Sequence, residues 1–124
     1  MKIELLKSKI HRATVTDANK EYVGSVTLGA ELMRAANLIE YEKVHVLNIT
    51  NGNRLETYII KGKENSGDVC INGAAAHLVA KGDLVIIASY CSVEQSCASS
   101  FSPTIVHVNE KNEVCDYVLQ DLDN

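Results

Sequence analysis

Two β-branched runs, Val44 to Ile49 and Leu55 to Ile60, flank Thr50-Asn51-Gly52-Asn53, and this segment constrains the fold more than any other. Asn and Gly both tolerate positive φ, so Asn-Gly between such runs predicts a β-hairpin. Apolar and polar residues also alternate at Lys9 to Thr16, and further strands are expected at Val69 to Ile71, Leu84 to Tyr90, Thr104 to Val108 and Val114 to Val118. Lys81-Gly82-Asp83 and Asn109 to Asn112 supply turns between them. The period-two rule places Lys9, His11, Ala13 and Val15 on one face of their strand, with Ile10, Arg12, Thr14 and Thr16 on the other. Leu28, Leu32, Ala35, Ala36 and Ile39 fall instead at helical spacing, with Thr27 as the expected N-cap. A shorter helix is expected after Gly73, through the Ala74-Ala75-Ala76 run. The chain therefore reads as mainly β with one or two short helices, and closing so many short strands into a barrel removes exposed edges.

At 124 residues the chain is sized for one domain, with no room for a separate cofactor-binding domain. Twelve Lys+Arg against sixteen Asp+Glu give a net charge of -4, the wrong sign for a generic nucleic-acid binder. The longest clean apolar run, Leu84 to Cys91, is strand length and far below the roughly 20 residues of a membrane span. The N-terminal residues carry charge among their apolar side chains rather than a signal sequence, so a cytoplasmic location is expected. Free thiols are the expected state of Cys70, Cys91, Cys97 and Cys115, and neither their spacing nor that of the four His residues is that of a metal site. The acidic, polar tail from Tyr117 to Asn124 is expected to be poorly ordered.

Three clusters carry chemical interest. Lys9 and His11 on one strand, with Arg54 and Tyr58 on another, would form a pocket for a small dicarboxylate if the two strands met. From pattern alone they read more readily as solvated surface charges and a core phenol with a wet hydroxyl. Gly24-Ser25 reads as a turn, and equally places a hydroxyl next to the unhindered carbonyl that backbone self-cleavage needs. Asn72-Gly73-Ala74-Ala75-Ala76 reads as a strand-to-helix turn, and also as a seat for a carboxylate on free backbone N–H groups.

Taken in order, Lys9-x-His11-Arg12-Ala13-x-Val15-Thr16, Tyr22-x-Gly24-Ser25, Asn48-x-Thr50-Asn51-Gly52-x-Arg54-x-x-Thr57-Tyr58, Asn72-Gly73-Ala74-Ala75-Ala76 and Gly82-Asp83-x-Val85-Ile86-Ile87-Ala88 closely resemble the pyruvoyl-dependent aspartate decarboxylases. The resemblance runs from about Lys9 to Ala88 and departs at Lys20, at Leu47 and in the Cys-bearing segment from Tyr90 to Ser100. It implies a double-psi β-barrel, a homotetramer with active sites between subunits, and an inactive precursor that cleaves itself between Gly24 and Ser25 into chains 1–24 and 25–124, with or without a helper protein. It further implies a covalent pyruvoyl group made from Ser25, which forms a Schiff base with L-aspartate and accepts electrons as the α-carboxylate leaves as carbon dioxide. The product is β-alanine, destined for pantothenate. Tyr58 is then the proton donor, Thr57 the oxyanion donor of processing, and Lys9, His11, Arg54, Thr57, Asn72, Gly73, Ala74 and Ala75 the substrate contacts. Two other readings of the residues remain, a non-catalytic barrel that binds a partner and an amidohydrolase with Ser25 as its N-terminal nucleophile.

Overall fold

The computed structural model describes residues 1–21 and 24–119. Its strands are β1 (Lys2–Thr14), β2 (Asp17–Asn19), β3 (Ser25–Leu28), β4 (Lys43–Asn48), β5 (Arg54–Lys61), β6 (Val69–Asn72), β7 (Leu84–Glu94), β8 (Thr104–Val108) and β9 (Val114–Leu119). They lie side by side in the order β2-β6-β3-β5-β4-β7-β1-β8-β9. Parallel pairs (β1 with β8, β3 with β5, β2 with β6) interrupt an otherwise antiparallel sheet, so several connections cross over instead of turning back. The sheet curls on itself. Val15 N–H donates to the Asp83 carbonyl, Gly82 N–H to the Val15 carbonyl and Thr16 N–H to the Val69 carbonyl, which brings the end of β1 against both β6 and the approach to β7. This mainly β, barrel-like sheet is the architecture of a double-psi barrel. Its core is built from Ile and Val of the strands, among them Ile10, Val26, Val44, Val46, Ile59, Ile71, Val85 and Ile87, all fully buried.

The Asn-Gly hairpin forms as expected, with β4 and β5 paired without interruption from Leu47↔Arg54 to Lys43↔Tyr58. Its loop is longer than a two-residue turn: Gly52, at φ +82°, donates to the Asn48 carbonyl. The side-chain nitrogens of Asn48, Asn51 and Asn53 all reach the Leu78 carbonyl, at 3.3, 3.2 and 3.2 Å. Leu78 caps the short 3-10 helix Gly73–His77, so the hairpin loop braces that segment from behind.

Four expectations are corrected. The helix α1 spans only Ala30–Ala35 and is capped by Gly29, because Thr27 and Leu28 are spent on β3. It stops where Asn37 turns left-handed (φ +58°) and Leu38 N–H closes back onto the Met33 carbonyl, leaving Ile39 70 % exposed. The alternation along β1 also changes phase. Its register against β7 shifts between Ile10 and Ala13, and Arg12 there has φ +65°, the signature of a bulge. Lys9 and His11 keep a common face opposite Ile10, but Ala13 and Val15 return to the core beside Ile10 instead of sharing their side. Finally, β9 includes Tyr117 to Leu119, which are strand instead of loose tail, while residues 120–124 lie outside the described ones. β1 and β7 are also longer than the sequence suggested, pairing from Lys2↔Glu94 onward.

Candidate active site

Ser25 opens β3, which lies between β6 and β5. Val26 and its neighbours Ile71 and Ile59 fill the core, so Ser25, Thr27, Cys70 and Asn72 occupy the opposite face. Ser25 pairs with Asn72 and Thr27 with Cys70 across the antiparallel ladder. The Asn72 amide nitrogen donates to Ser25 Oγ at 3.0 Å and to Thr27 Oγ1 at 3.1 Å, while the Cys70 thiol donates to Asn72 Oδ1 at 3.4 Å. Ser25 and Asn72 are each only 4 % exposed, so their hydrogen bonds are shielded from water. Gly24 backs onto the same strand: a side chain there would begin 3.9 Å from the Asn72 carbonyl oxygen. Tyr22 and Val23, which complete the motif, lie outside the described residues.

On the other side β3 runs parallel to β5 with Val26 opposite Ile59. The same offset carried back aligns Ser25 with Tyr58 and Gly24 with Thr57. Because β5 alternates regularly, Arg54 and Tyr58 share the outer face with Ser25, and Thr57 lies on the core side with Leu55 and Ile59. No bulge in this ladder brings Thr57 round to the face of Arg54 and Tyr58. The Tyr58 ring stands 6.5 Å from that of Tyr41.

Immediately after Asn72 the chain turns at Gly73, whose φ of +73° a side chain would strain, and enters the 3-10 helix. Gly73 itself is buried, Ala74 exposed and Ala75 half-buried.

Lys9 and His11 do not join these groups within one chain. β7 and β4 stand between β1 and β5, so at ~4.8 Å per strand the two strands lie roughly 14 Å apart along the sheet. The condition for a one-chain pocket, that the two strands meet, is not fulfilled. Lys9 instead shares an outward row with Ala88, His45 and Glu56. Arg54, with His45, Leu55 and Glu56, lines a cleft of about 510 Å³ on that surface. His11 faces His107 of β8 edge to face at 5.4 Å, with its Nδ1 buried and unpartnered among the described residues. Burial, with Lys9, His107 and Arg12 nearby, holds the His11 imidazole below its usual pKa.

Cys70, Thr27, His45 and His107 were not among the expected site residues. Cys70 was within reach of sequence reasoning, since it lies two residues before Asn72 on one strand and so on one face. His107 was not, because its place beside His11 depends on the parallel β1/β8 pairing.

A family profile described as aspartate decarboxylase matches residues 1–115. The chain is 61 % identical over 114 residues to the aspartate 1-decarboxylase of Campylobacter fetus subsp. fetus (strain 82-40), covering 92 % of this chain and 98 % of that one. It is 60 % identical to the enzyme of the same name from Campylobacter curvus (strain 525.92), over 92 % and 97 % of the two chains. For that of Clostridium botulinum (strain Loch Maree / Type A3) the identity is 57 %, over 92 % and 90 %.

Proposed function

Because the chain belongs to the aspartate decarboxylase family, we propose that it removes the α-carboxylate of L-aspartate to give β-alanine and carbon dioxide, for pantothenate synthesis in the cytoplasm. The observation that carries the reading is the setting of Ser25: next to Gly24, shielded from water, hydrogen-bonded to Asn72 and aligned with Tyr58. Such a serine suits conversion to a pyruvoyl group, because its hydroxyl, held by Asn72, belongs to the residue that directly follows the Gly24 carbonyl, and a phenol lies on the same face. The pyruvoyl carbonyl supplies an electron sink for decarboxylation, as a pyridine ring does elsewhere.

The chain's own residues divide the remaining work. Thr57 donates to the Gly24 oxygen as it gains charge during self-cleavage. Tyr58 delivers a proton to the former α-carbon. The backbone of Gly73, Ala74 and Ala75, with Asn72, holds the substrate beside Ser25. Two carboxylates must leave water, and Lys9 and Arg54 are the cations to receive them, with His11 alongside. Lys9 lies four strand positions from Ser25 in one chain, and Arg54 lies four residues, roughly 13 Å, along β5 from the position level with it, so a second copy presents them, in a homotetramer with sites between subunits. The mature protein is then one domain in two pieces, 1–24 and 25–124.

Intact-mass measurement after incubation, alone and in cell extract, tests this reading. Fragments of 24 and 100 residues are expected, the larger without an ordinary serine terminus, and cleavage only in extract identifies a helper. A chain that stays whole under both conditions overturns the reading. Borohydride trapping of aspartate on the 100-residue fragment separates it from an amidohydrolase with a free N-terminal serine.

A further inference from the structure

The turn that leads into β4 holds an aromatic side chain where glycine is the favoured residue. Glu42 N–H donates to the Ile39 carbonyl at 3.2 Å, which makes Glu40 and Tyr41 the two central residues of a turn. Tyr41 has φ +73°, a value that at this position selects for Gly or Asn. Of the five described non-glycine residues with positive φ, three are Asn and Arg12 sits in the β1 bulge, so Tyr41 is the one aromatic among them. The neighbouring strand enforces its conformation: Tyr41 N–H donates to the Ile59 carbonyl at 2.8 Å, and Ile59 N–H to the Glu42 carbonyl at 3.1 Å. Burial of the ring does not offset the strain, because Tyr41 is 71 % exposed.

The ring lies instead beside the half-buried Tyr58, with centroids 6.5 Å apart and planes at 42°, within the range of interacting aromatic pairs. Tyr58 stands between two strands. On the β3 side the position level with it is Ser25, and on the β4 side its register partner is Lys43. The Lys43 ammonium is drawn to Glu56 at 3.0 Å, and the aromatic neighbour on that side is Tyr41.

We propose that Tyr41 is a positioning residue for decarboxylation, its strained backbone setting its ring against Tyr58 so that the phenol keeps the orientation in which it delivers its proton. This rests on the reading of Tyr58 as the proton donor. In that step the phenol O–H bond breaks as a C–H bond forms at the former α-carbon, and water restores the phenol's proton. A ring free to change rotamer spends part of its time out of reach of that carbon, and a neighbouring ring limits the change. Self-cleavage, assigned to Gly24, Ser25 and Thr57, does not use the phenol, so the effect falls on turnover alone.

The test measures self-cleavage and aspartate turnover in full-length wild type, Tyr41→Gly, Tyr41→Phe, Tyr58→Phe and the Tyr41→Gly, Tyr58→Phe double variant. Tyr41→Gly fits the turn without strain, so its fold is expected to melt close to wild type. Its kcat per processed chain is expected to fall about three- to tenfold, the worth of one aromatic pair, with KM and the rate of self-cleavage unchanged. Tyr41→Phe keeps the ring and is expected within about twofold of wild type on the same basis. In the Tyr58→Phe chain, which has no phenol proton to place, adding Tyr41→Gly is expected to cost nothing further. An unchanged kcat in Tyr41→Gly, a Tyr41→Phe chain as slow as Tyr41→Gly, or the same loss with and without the Tyr58 hydroxyl overturns the proposal. So does a loss that appears in KM, which places the ring on the substrate, or a Tyr41→Gly chain that melts far below wild type or fails to assemble. Full kcat in Tyr58→Phe overturns the reading of Tyr58 as donor, and the role of Tyr41 with it.

Discussion

The side-chain amide of Asn72 stands 3.0 Å from the hydroxyl of Ser25, directly across the β3/β6 ladder. Asn72→Ala removes the donor and leaves Ser25 Oγ without it, so self-cleavage is expected to slow by roughly tenfold. Conversion followed by mass in freshly purified chain checks this, and an unchanged rate removes Asn72 from the processing step.

Thr57 packs on the core side of β5 with Leu55 and Ile59. Thr57→Val replaces a hydroxyl by a methyl of similar size there, so the fold should survive while the donor to the Gly24 oxygen is lost. Processing is expected to fall by roughly 10²- to 10³-fold, the usual cost of an oxyanion donor. Cleavage at the normal rate in a folded Thr57→Val chain refutes the assignment.

Tyr58 shares the outer face with Ser25 but lies beside the serine instead of beneath its peptide. Tyr58→Phe is accordingly expected to process normally and then lose roughly 10²- to 10⁴-fold in decarboxylation, the range of general-acid catalysis. Carbon dioxide release per processed chain is the measurement, and full turnover excludes the phenol as donor.

Arg54 shares the outer face of β5 with Tyr58 but lies four residues, roughly 13 Å, from the position level with Ser25, so a complementation experiment decides which copy supplies it. Arg54→Ala alone is expected to raise KM for aspartate more than it slows self-cleavage, and Ser25→Ala alone to be inactive. Co-assembled, the two chains are expected to recover low-KM activity, because the Ser25→Ala copy lends its Arg54 to a processed neighbour. Hybrids no better than Arg54→Ala by itself place the whole site within one chain.

The lowered pKa of His11 has a defined consequence for stability. An imidazole whose folded pKa lies below its unfolded value of 6.5 binds fewer protons when folded, so its contribution is fully present above about pH 6.5. That contribution is lost as pH falls from there through the folded pKa. Thermal melting between pH 7.5 and pH 5 is expected to show this loss in the wild type and less of it in His11→Gln, and identical slopes refute it.

Much of this architecture was legible from period and punctuation. The Asn51-Gly52 hairpin, the strand at Val69 and the short helix after Gly73 follow from local chemistry, and local chemistry is what a sequence displays most directly. The misplaced elements are those decided by distant partners. Thr27 has the chemistry of a cap, but β5 and β6 claim it for a strand. The phase change at Arg12 is invisible to an alternation rule, because Arg is no marker of a left-handed backbone. For the site, the residue types came through the ordered motifs, whereas their separation into two surfaces depends on β4 and β7 standing between β1 and β5.

The bulge at Arg12 lets one strand serve two surfaces with opposite demands. Before it, β1 turns a cation and an imidazole away from the core, and after it the same strand turns Ala13 and Val15 inward. The two stretches are thereby uncoupled in register. Strict alternation over the same number of residues would force a choice: either Thr14 enters the core in place of Ala13 and Val15, or Lys9 and His11 turn inward in place of Ile10. The one extra residue that β1 carries against β7 is therefore what lets Ile10 and Ala13, three positions apart, both face the core while Lys9 and His11 face away from it.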